Sequence, residues 1–464
     1  MEAMMDMREA ARGAGGEARG ANARFVAVSS DTRTIAQGAL FVALRGERFD
    51  GHDYLVAART RGAVAAMVDR DAPAAGGDAP LPLLVVDDTR LGLGRLAAYW
   101  RGKFTLPLVA VTGSNGKTTV KEMIAAILTE HAGPERAYAT PGNLNNDIGV
   151  PLTLLGLRAQ HRCAVVELGM NHAGETAYLA GIVRPTVALV NNAQREHQEF
   201  MHSVEDVARE HGAVFSALPA DGVAVINADD SYAGYWRGVC APRPVLDFGI
   251  ERPAAVGGRY ALRDFGSDIV LRLPQGEAPV SLQAAGLHNV RNALASAAAA
   301  AAAGVGLAAI ARGLAAFRPV RGRLQKKVGR HGAVVLDDSY NANPDSVIAA
   351  IDVLARAAGQ KFLVLGDMGE VGAHGAAFHA EIGRHARARG IDRLFLIGAS
   401  CTHTAAAFGE GARHYGDIDA LLAELEAGLG KDVTVLVKGS RFMRMERVVQ
   451  ALAGRSRVQN GGEG

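Results

Sequence analysis

Leu108-Val109-Ala110-Val111-Thr112, followed at once by Gly113-Ser114-Asn115-Gly116-Lys117-Thr118-Thr119, decides the fold of this chain. Five uncharged residues read as a strand covered on both faces, and Val120, Met123, Ile124, Ile127 and Leu128 recur at helical spacing just beyond. Glycines in the loop between them let backbone N–H groups converge on phosphate oxygens. The helix N-terminus favours negative charge, Lys117 can reach terminal phosphates and Thr118 can ligate Mg²⁺. The first glycine of the full GxxxxGK[ST] pattern would fall at Val111, so the general nucleotide-hydrolase motif is incomplete.

Outward from this loop, the apolar runs CAVVEL, TVALVNN and VAVIN alternate with helix-length segments. That pattern predicts a doubly wound parallel sheet. Residues 284–318, with seven alanines from Ala297 to Ala303, read as tightly packed buried helix. A third set of strands, AVVLDD, KFLVLGD, RLFLIG and TVLVKG, predicts a Rossmann-like unit near the C-terminus, with a loose tail over 455–464. Before Pro107, the runs FVAVSS, ALFVAL, AAMV and LLVVDD form a small α/β unit, preceded by a short helix and a turn at Gly15-Gly16. The fold class is therefore α/β in three domains: a small N-terminal α/β domain over 1–106, a central phosphate-loop ATPase-like domain over 107–318 and a C-terminal Rossmann-like domain over 319–464.

Composition bounds what the chain can do. Its 464 residues suit about three domains. Fifty Lys+Arg against 48 Asp+Glu give a net charge of +2, without a block of like charge, so nucleic acid and anionic membrane are poor partners and small molecules better ones. Cys163, Cys240 and Cys401 are odd in number and lack CxxC spacing, which argues against a disulfide framework or zinc site and for a reducing compartment. The opening MEAMMDMREAARGAGG lacks a secretion signal's continuous apolar core, and no apolar stretch reaches the roughly 18 residues of a membrane span. A cytoplasmic protein is expected.

Chemistry should collect at the carboxyl ends of the parallel strands, where open sheets bind ligands. Glu167 ends CAVVEL and His197 follows TVALVNN, so both could face a nucleotide-bound metal. The Asn-rich segments TPGNLNNDIG and LHNVRN and the segments DDSYNANPDS and LVKGSR also follow strands or open helices, where turn and capping roles are equally natural.

In their order along the chain, these segments together with SSDTRTIAQGALFVALRGERFDGHDY and ELGMNHAGE resemble the ATP-dependent Mur ligases over residues 25 to about 450. The family's shortened loop GxxGKT[TS] fits Gly113–Thr119 and accounts for the missing glycine. Within the family the segments look like the branch that adds D-alanyl-D-alanine to UDP-N-acetylmuramoyl-tripeptide through an acyl phosphate. The resemblance implies an enzyme using ATP and Mg²⁺, with Mn²⁺ as a substitute, and working as a monomer. It implies that Ser30, Asp31, Thr32, Glu47, Arg48 and Phe49 line a uridine site, and that Asn143, Asn145 and Asn146 lie beside loop and substrate. By the same resemblance Thr118, Glu167 and His197 hold metal, Asn289 meets adenine, and Arg323 lies near the phosphates. Asn341 and Asn343, with Lys438 and Ser440, would face the incoming amine. A folylpolyglutamate-type ligase and a phosphate-loop ATPase switch are the alternatives.

One position departs from the resemblance. Many family members carry a lysine in a segment like AKGEIF, carbamylated by CO₂ so that the anion helps hold a second Mg²⁺; here that segment reads Glu210-His211-Gly212-Ala213-Val214-Phe215, and no lysine occurs between Lys121 and Lys326. The second cation should then be held by His211, by Glu210 or by water.

Overall fold

The computed structural model describes residues 2–77 and 79–453; the tail over 455–464 lies outside them. The central sheet has six strands, all parallel, in the order Ala137–Ala139, Cys163–Glu167, Leu108–Thr112, Val187–Val190, Val223–Asn227, Val245–Phe248. The phosphate-loop strand lies inside it, paired as Val111↔Glu167 on one side and Thr112↔Val190 on the other. Side chains alternate along a strand. Val109 and Val111 therefore join the layer of the helices Lys117–Ala132 and Leu287–Ala302, while Leu108 and Ala110 join a second cluster with Leu154, Leu179 and Trp236. The five apolar helix positions named above are all buried in the first layer.

The Ala-rich segment is two helices, Leu287–Ala302 and Leu307–Ala316, rather than one. The chain breaks at Gly304, whose φ of 86° an L-residue rarely adopts. A three-stranded antiparallel sheet over Gly257–Arg263, Gly266–Leu273 and Gly276–Leu282 is an addition the sequence reading lacked.

The N-terminal sheet has five strands, mixed, with Glu17–Arg19 antiparallel at one edge. It begins after the helix Met7–Ala14, which ends at a left-handed Gly15, as expected. The helix Thr89–Arg101 leads into the central unit and is fastened to it: Trp100 Nε1 donates to Leu157 O at 3.1 Å, and the buried Arg101 guanidinium donates through Nε to Val183 O at 3.0 Å. One face of the N-terminal sheet joins the central unit's core, where Leu93, Leu96 and Trp100 share a buried cluster with Leu154, Leu179 and Ile182, while Phe41, Leu55 and Val68 form a cluster of the N-terminal unit's own.

The C-terminal sheet runs Gln325–Val328, Val334–Asp338, Val433–Lys438, Gln360–Gly366, Arg393–Ile397, Ala412–Tyr415, parallel apart from its first strand. It has its own core on both faces.

Candidate active site

A cleft of about 1680 Å³ opens where the carboxyl ends of the central strands face the C-terminal unit. Gly113 and Gly116 shape its floor. With φ of 132° and 83°, each is also too close to its surroundings for a side chain: a Cβ on Gly113 would lie 3.0 Å from the amides of Asn191 and Asn192, and one on Gly116 would lie 2.5 Å from Asn292 Oδ1. Ser114 N and Asn115 N donate to Asn192 O and Oδ1 at 3.0 and 2.8 Å, which fixes the loop against the next strand's end. The helix Lys117–Ala132 starts without a side-chain cap, so its first-turn amides, including those of Lys117, Thr118 and Thr119, point at the cleft without intrahelical partners.

Lys117 is folded back over its own loop. Its Nζ donates to Gly113 O at 2.6 Å and Ser114 O at 3.2 Å, and lies 3.3 Å from Glu196 Oε2. Thr118 Oγ1 donates to Glu167 Oε1 at 2.9 Å and accepts from Arg323 Nη2 at 2.8 Å. Asn145 Nδ2 also donates to Glu167 Oε1, at 2.8 Å. The other oxygen, Glu167 Oε2, is buried with no partner. An orphaned carboxylate oxygen beside a hydroxyl, at the foot of a phosphate loop, fits a hard divalent cation with oxygen ligands.

His197 sits in the left-handed region with φ 49°. Its Nδ1 is 2.6 Å from Glu370 Oε2, on the C-terminal unit, and its Nε2 is 3.9 Å from Glu196 Oε2. The His197 contact holds the Glu370 carboxyl below its usual value. Burial works to raise the Glu196 carboxyl, but Lys117, His211 and His197 outweigh it and hold it at about 2.

The cleft also gathers Asn146, Asn289, Asn341, Asn343, Lys438 and Ser440. The Asn289 amide is already engaged, donating to Ala285 O at 2.8 Å and accepting from Asn292 Nδ2 at 3.0 Å. Lys438 Nζ donates to Asp338 Oδ2 and to Asn341 O, and Ser440 Oγ bridges Gly369 N and Ala342 O, so this pair holds the segment from Asp338 to Asn343 in place. Asn143 lies at the margin, donating to Tyr340 OH at 2.7 Å.

The residues expected at the uridine lie outside the cleft lining, on the N-terminal unit. Glu47 and Arg48 form the exposed tip of the hairpin Arg45–Asp50, with Phe49 58% exposed beside them. Ser30, Asp31 and Thr32 are half-buried after the strand Ala27–Ser29, and the Arg33 guanidinium holds the Asp31 carboxyl at about 2.

His211 and Glu210 do not take the places expected for them. His211 is fully buried, with Nδ1 2.9 Å from Thr112 Oγ1 and Nε2 2.7 Å from Glu196 Oε1, so both nitrogens are occupied behind the cleft wall. Glu210 accepts from Gly174 N and Thr176 N, capping the helix Glu175–Val183. Sequence reasoning missed Glu196, Arg195 and Glu370. The first two belong to the polar run NNAQREH directly after a buried parallel strand, which marks the segment but singles out neither residue.

Comparison with known proteins agrees with this architecture. Models of the Mur ligase family match residues 24–101 (catalytic domain), 111–300 (middle domain) and 322–441 (glutamate ligase domain). The UDP-N-acetylmuramoyl-tripeptide--D-alanyl-D-alanine ligase of Escherichia coli (strain K12) is 43% identical over 444 residues, covering 94% of this chain and 96% of that protein; its Bacillus subtilis (strain 168) counterpart is 33% identical over 92% of each. A crystal structure of MurF from Acinetobacter baumannii superposes with a TM-score of 0.89 at 33% identity, covering 96% of this chain and 98% of that one. The ADP complex of MurF from Thermotoga maritima gives 0.80 at 26%, covering 92% and 96%. With every unit matched in order and relatives 33–43% identical over nearly the whole chain, the chain belongs to the Mur ligase family.

Proposed function

We propose that this chain is the ATP-dependent ligase that joins D-alanyl-D-alanine to UDP-N-acetylmuramoyl-tripeptide, giving UDP-N-acetylmuramoyl-pentapeptide, ADP and phosphate. The observation that carries it is one cleft in which the phosphate loop with its Thr118–Glu167 pair faces the C-terminal segment Asn341–Ser346. The relatives that cover nearly the whole chain are named for this reaction.

A carboxylate does not condense with an amine at neutral pH, because hydroxide is a poor leaving group. ATP first converts it to an acyl phosphate, which the amine attacks, and the tetrahedral intermediate collapses to amide and phosphate. The loop amides and Lys117 hold the transferring phosphoryl group in line and neutralise its charge, and Arg323, anchored on Thr118, adds a second positive group. Thr118 and Glu167 would hold Mg²⁺, with His197 at a further cation; bound there, the metal supplies Lewis-acid stabilisation of the phosphoryl oxygens. Asn145 keeps Glu167 in position. Asn341 and Asn343 line the side from which the amine enters, and contact between the C-terminal unit and the loop excludes water from the labile acyl phosphate.

In this reading the labour divides among residues 1–106 for the nucleotide-linked acid, 107–318 for ATP and 319–464 for the dipeptide, with Ser30–Thr32 and Glu47–Phe49 at the uridine and Asn289 at adenine. We take the enzyme to act as a cytoplasmic monomer, a reading that one chain's completing the cleft and three free, buried cysteines support.

Phosphate release tests the reading. It should require both the UDP-linked tripeptide and the dipeptide, whereas turnover of ATP without an amine would indicate a nucleotide-driven switch. Running lysine and diaminopimelate forms of the tripeptide in parallel identifies the third residue.

A further inference from the structure

Behind Lys117 runs a buried chain of side chains that the reaction scheme leaves without a task. Thr112 Oγ1 meets His211 Nδ1 at 2.9 Å, and His211 Nε2 meets Glu196 Oε1 at 2.7 Å. Glu196 Oε2 then faces Lys117 Nζ at 3.3 Å and His197 Nε2 at 3.9 Å. Thr112 and His211 are fully buried, whereas Glu196 reaches the cleft lining. With the Thr112 hydroxyl donating to Nδ1, a neutral imidazole donates from Nε2, so both ring contacts are satisfied and the ring cannot turn without breaking one.

The two oxygens of Glu196 are therefore unlike each other. Oε1 has a permanent donor in His211. Oε2 has only the amine of Lys117, which is also bonded to the loop carbonyls of Gly113 and Ser114, and which a phosphate in the loop would draw away. A buried carboxylate that loses its cation must acquire another. Beside it lies His197 Nε2, whose ring meets Glu370 through the opposite nitrogen. Ligand atoms of one Mg²⁺, each about 2.0–2.1 Å from the ion, lie roughly 3 Å apart when adjacent and 4.2 Å when opposite. The 3.9 Å gap between Glu196 Oε2 and His197 Nε2 is close to the second of these.

We infer that Glu196 is a cation-binding residue of this ligase: its Oε2 gives up Lys117 to the incoming phosphate and takes a divalent cation together with His197, while His211 is the positioning residue that aims it. One carboxylate oxygen with one imidazole nitrogen suits Mg²⁺ and Mn²⁺, the imidazole favouring Mn²⁺. The inference rests on the nucleotide-dependent reading given above, and adds to it a ligand that neither the phosphate-loop motif nor the Thr118–Glu167 pair supplies.

Mn²⁺ binding by the full chain, followed by electron paramagnetic resonance with a non-hydrolysable ATP analogue present, tests this apart from turnover. Wild type is expected to bind about two ions. Glu196→Gln should keep one at wild-type affinity and weaken the other at least about tenfold. His211→Gln should weaken the same ion by a smaller factor, raising the Mg²⁺ concentration needed for half-maximal rate while leaving kcat at saturating Mg²⁺ near wild type. If Glu196→Gln does not fold, Glu196→Asp gives the answer: the carboxylate is retained but drawn back by one methylene, and weaker binding of one ion is again expected. Two ions bound at wild-type affinity in a folded Glu196 variant would overturn the inference. Because the requirement of phosphate release for both co-substrates is measured separately on wild type, failure of either result leaves the other standing.

Discussion

Asn115, on the phosphate loop, and Asn343, in the C-terminal unit, exchange hydrogen bonds through both ends of their amides, at 2.9 and 3.3 Å, across 228 residues of sequence. Asn343 is at the same time the N-cap of the helix Pro344–Leu354, accepting from Ser346 N at 2.9 Å. The phosphate loop and the helix Pro344–Leu354 are thereby clasped. Arg195 reinforces the clasp with forked bonds to Asp345 and Glu381 and its guanidinium over Phe378.

Asn343→Ala removes clasp and cap together. It should cost ~1 kcal/mol of stability, raise KM for the dipeptide and weaken closure. Small-angle scattering with an ATP analogue and the UDP-linked substrate checks this: the wild-type radius of gyration should fall on ligand binding and the variant's should fall less. A wild-type radius unchanged in every ligand state would count against a moving C-terminal unit.

Lys117→Ala should lower kcat by about two or more orders of magnitude and lower the melting temperature as well, because it strips the buried Glu196 carboxylate of its cation. Its bonds go to loop carbonyls and to Glu196, and Glu196 keeps His211 as a donor, so the fold should survive. A folded variant with near wild-type turnover would sink the assignment of the loop.

Glu167→Gln discriminates charge from shape. The amide oxygen can still accept from Thr118 and Asn145, so the fold should survive, while the unpartnered carboxylate oxygen becomes an NH₂ group that repels a cation. The expected result is a raised Mg²⁺ requirement and a rate loss of about two orders of magnitude; titration of activity against Mg²⁺ reads both.

Stability should fall in acid through His379. This ring is wholly buried, accepts from Met368 N at 3.1 Å through Nε2 and contacts Gly375 O through Nδ1, and burial holds its pKa below the ordinary value. Folding thus disfavours the protonated form, so the contribution is complete above about pH 6.5 and is lost as pH drops below it toward the lowered folded-state value. Melting temperatures between pH 7 and 5 should fall less steeply for His379→Gln than for wild type.

Turnover should not respond to CO₂. His211 takes the place of the lysine that could carry a carbamate, and a carboxylate, Glu196, already lies against it. Rates in CO₂-depleted buffer should match those with added bicarbonate; a drop that bicarbonate restores would contradict this.

The parallel sheets were legible because their inner strands are buried on both faces and so read as unbroken apolar runs, as in Leu108–Thr112 and Cys163–Glu167, whereas edge strands such as Ala137–Ala139 are only partly buried. The antiparallel sheet over 257–282 was not, since exposed residues such as Arg259, Tyr260 and Arg272 interrupt its apolar positions. The break between the two Ala-rich helices depends on one glycine in a composition that otherwise favours continued helix. Thr118, Glu167 and Lys117 were legible from spacing and strand position. Glu196 was not, because its meaning comes from His211, on a helix that only tertiary packing lays against the strand's end. Arg195 likewise means little until Asp345 and Glu381, 150 and 186 residues away, are brought to it.

The cluster that joins Leu93, Leu96 and Trp100 to Leu154, Leu179 and Ile182 leaves no give between the N-terminal and central units. On the proposed placement of the uridine at Glu47–Phe49, the span from that hairpin tip to Lys117 is therefore a fixed gauge. An acid anchored by its nucleotide at one end brings its carboxylate to the phosphate loop only when the peptide between them has the right number of residues. One residue fewer falls short by about 3.3–3.6 Å, beyond the reach of a near-attack geometry. In such a caliper, side-chain identity along the peptide matters less than count, and the two packed units select for length whatever the C-terminal unit does.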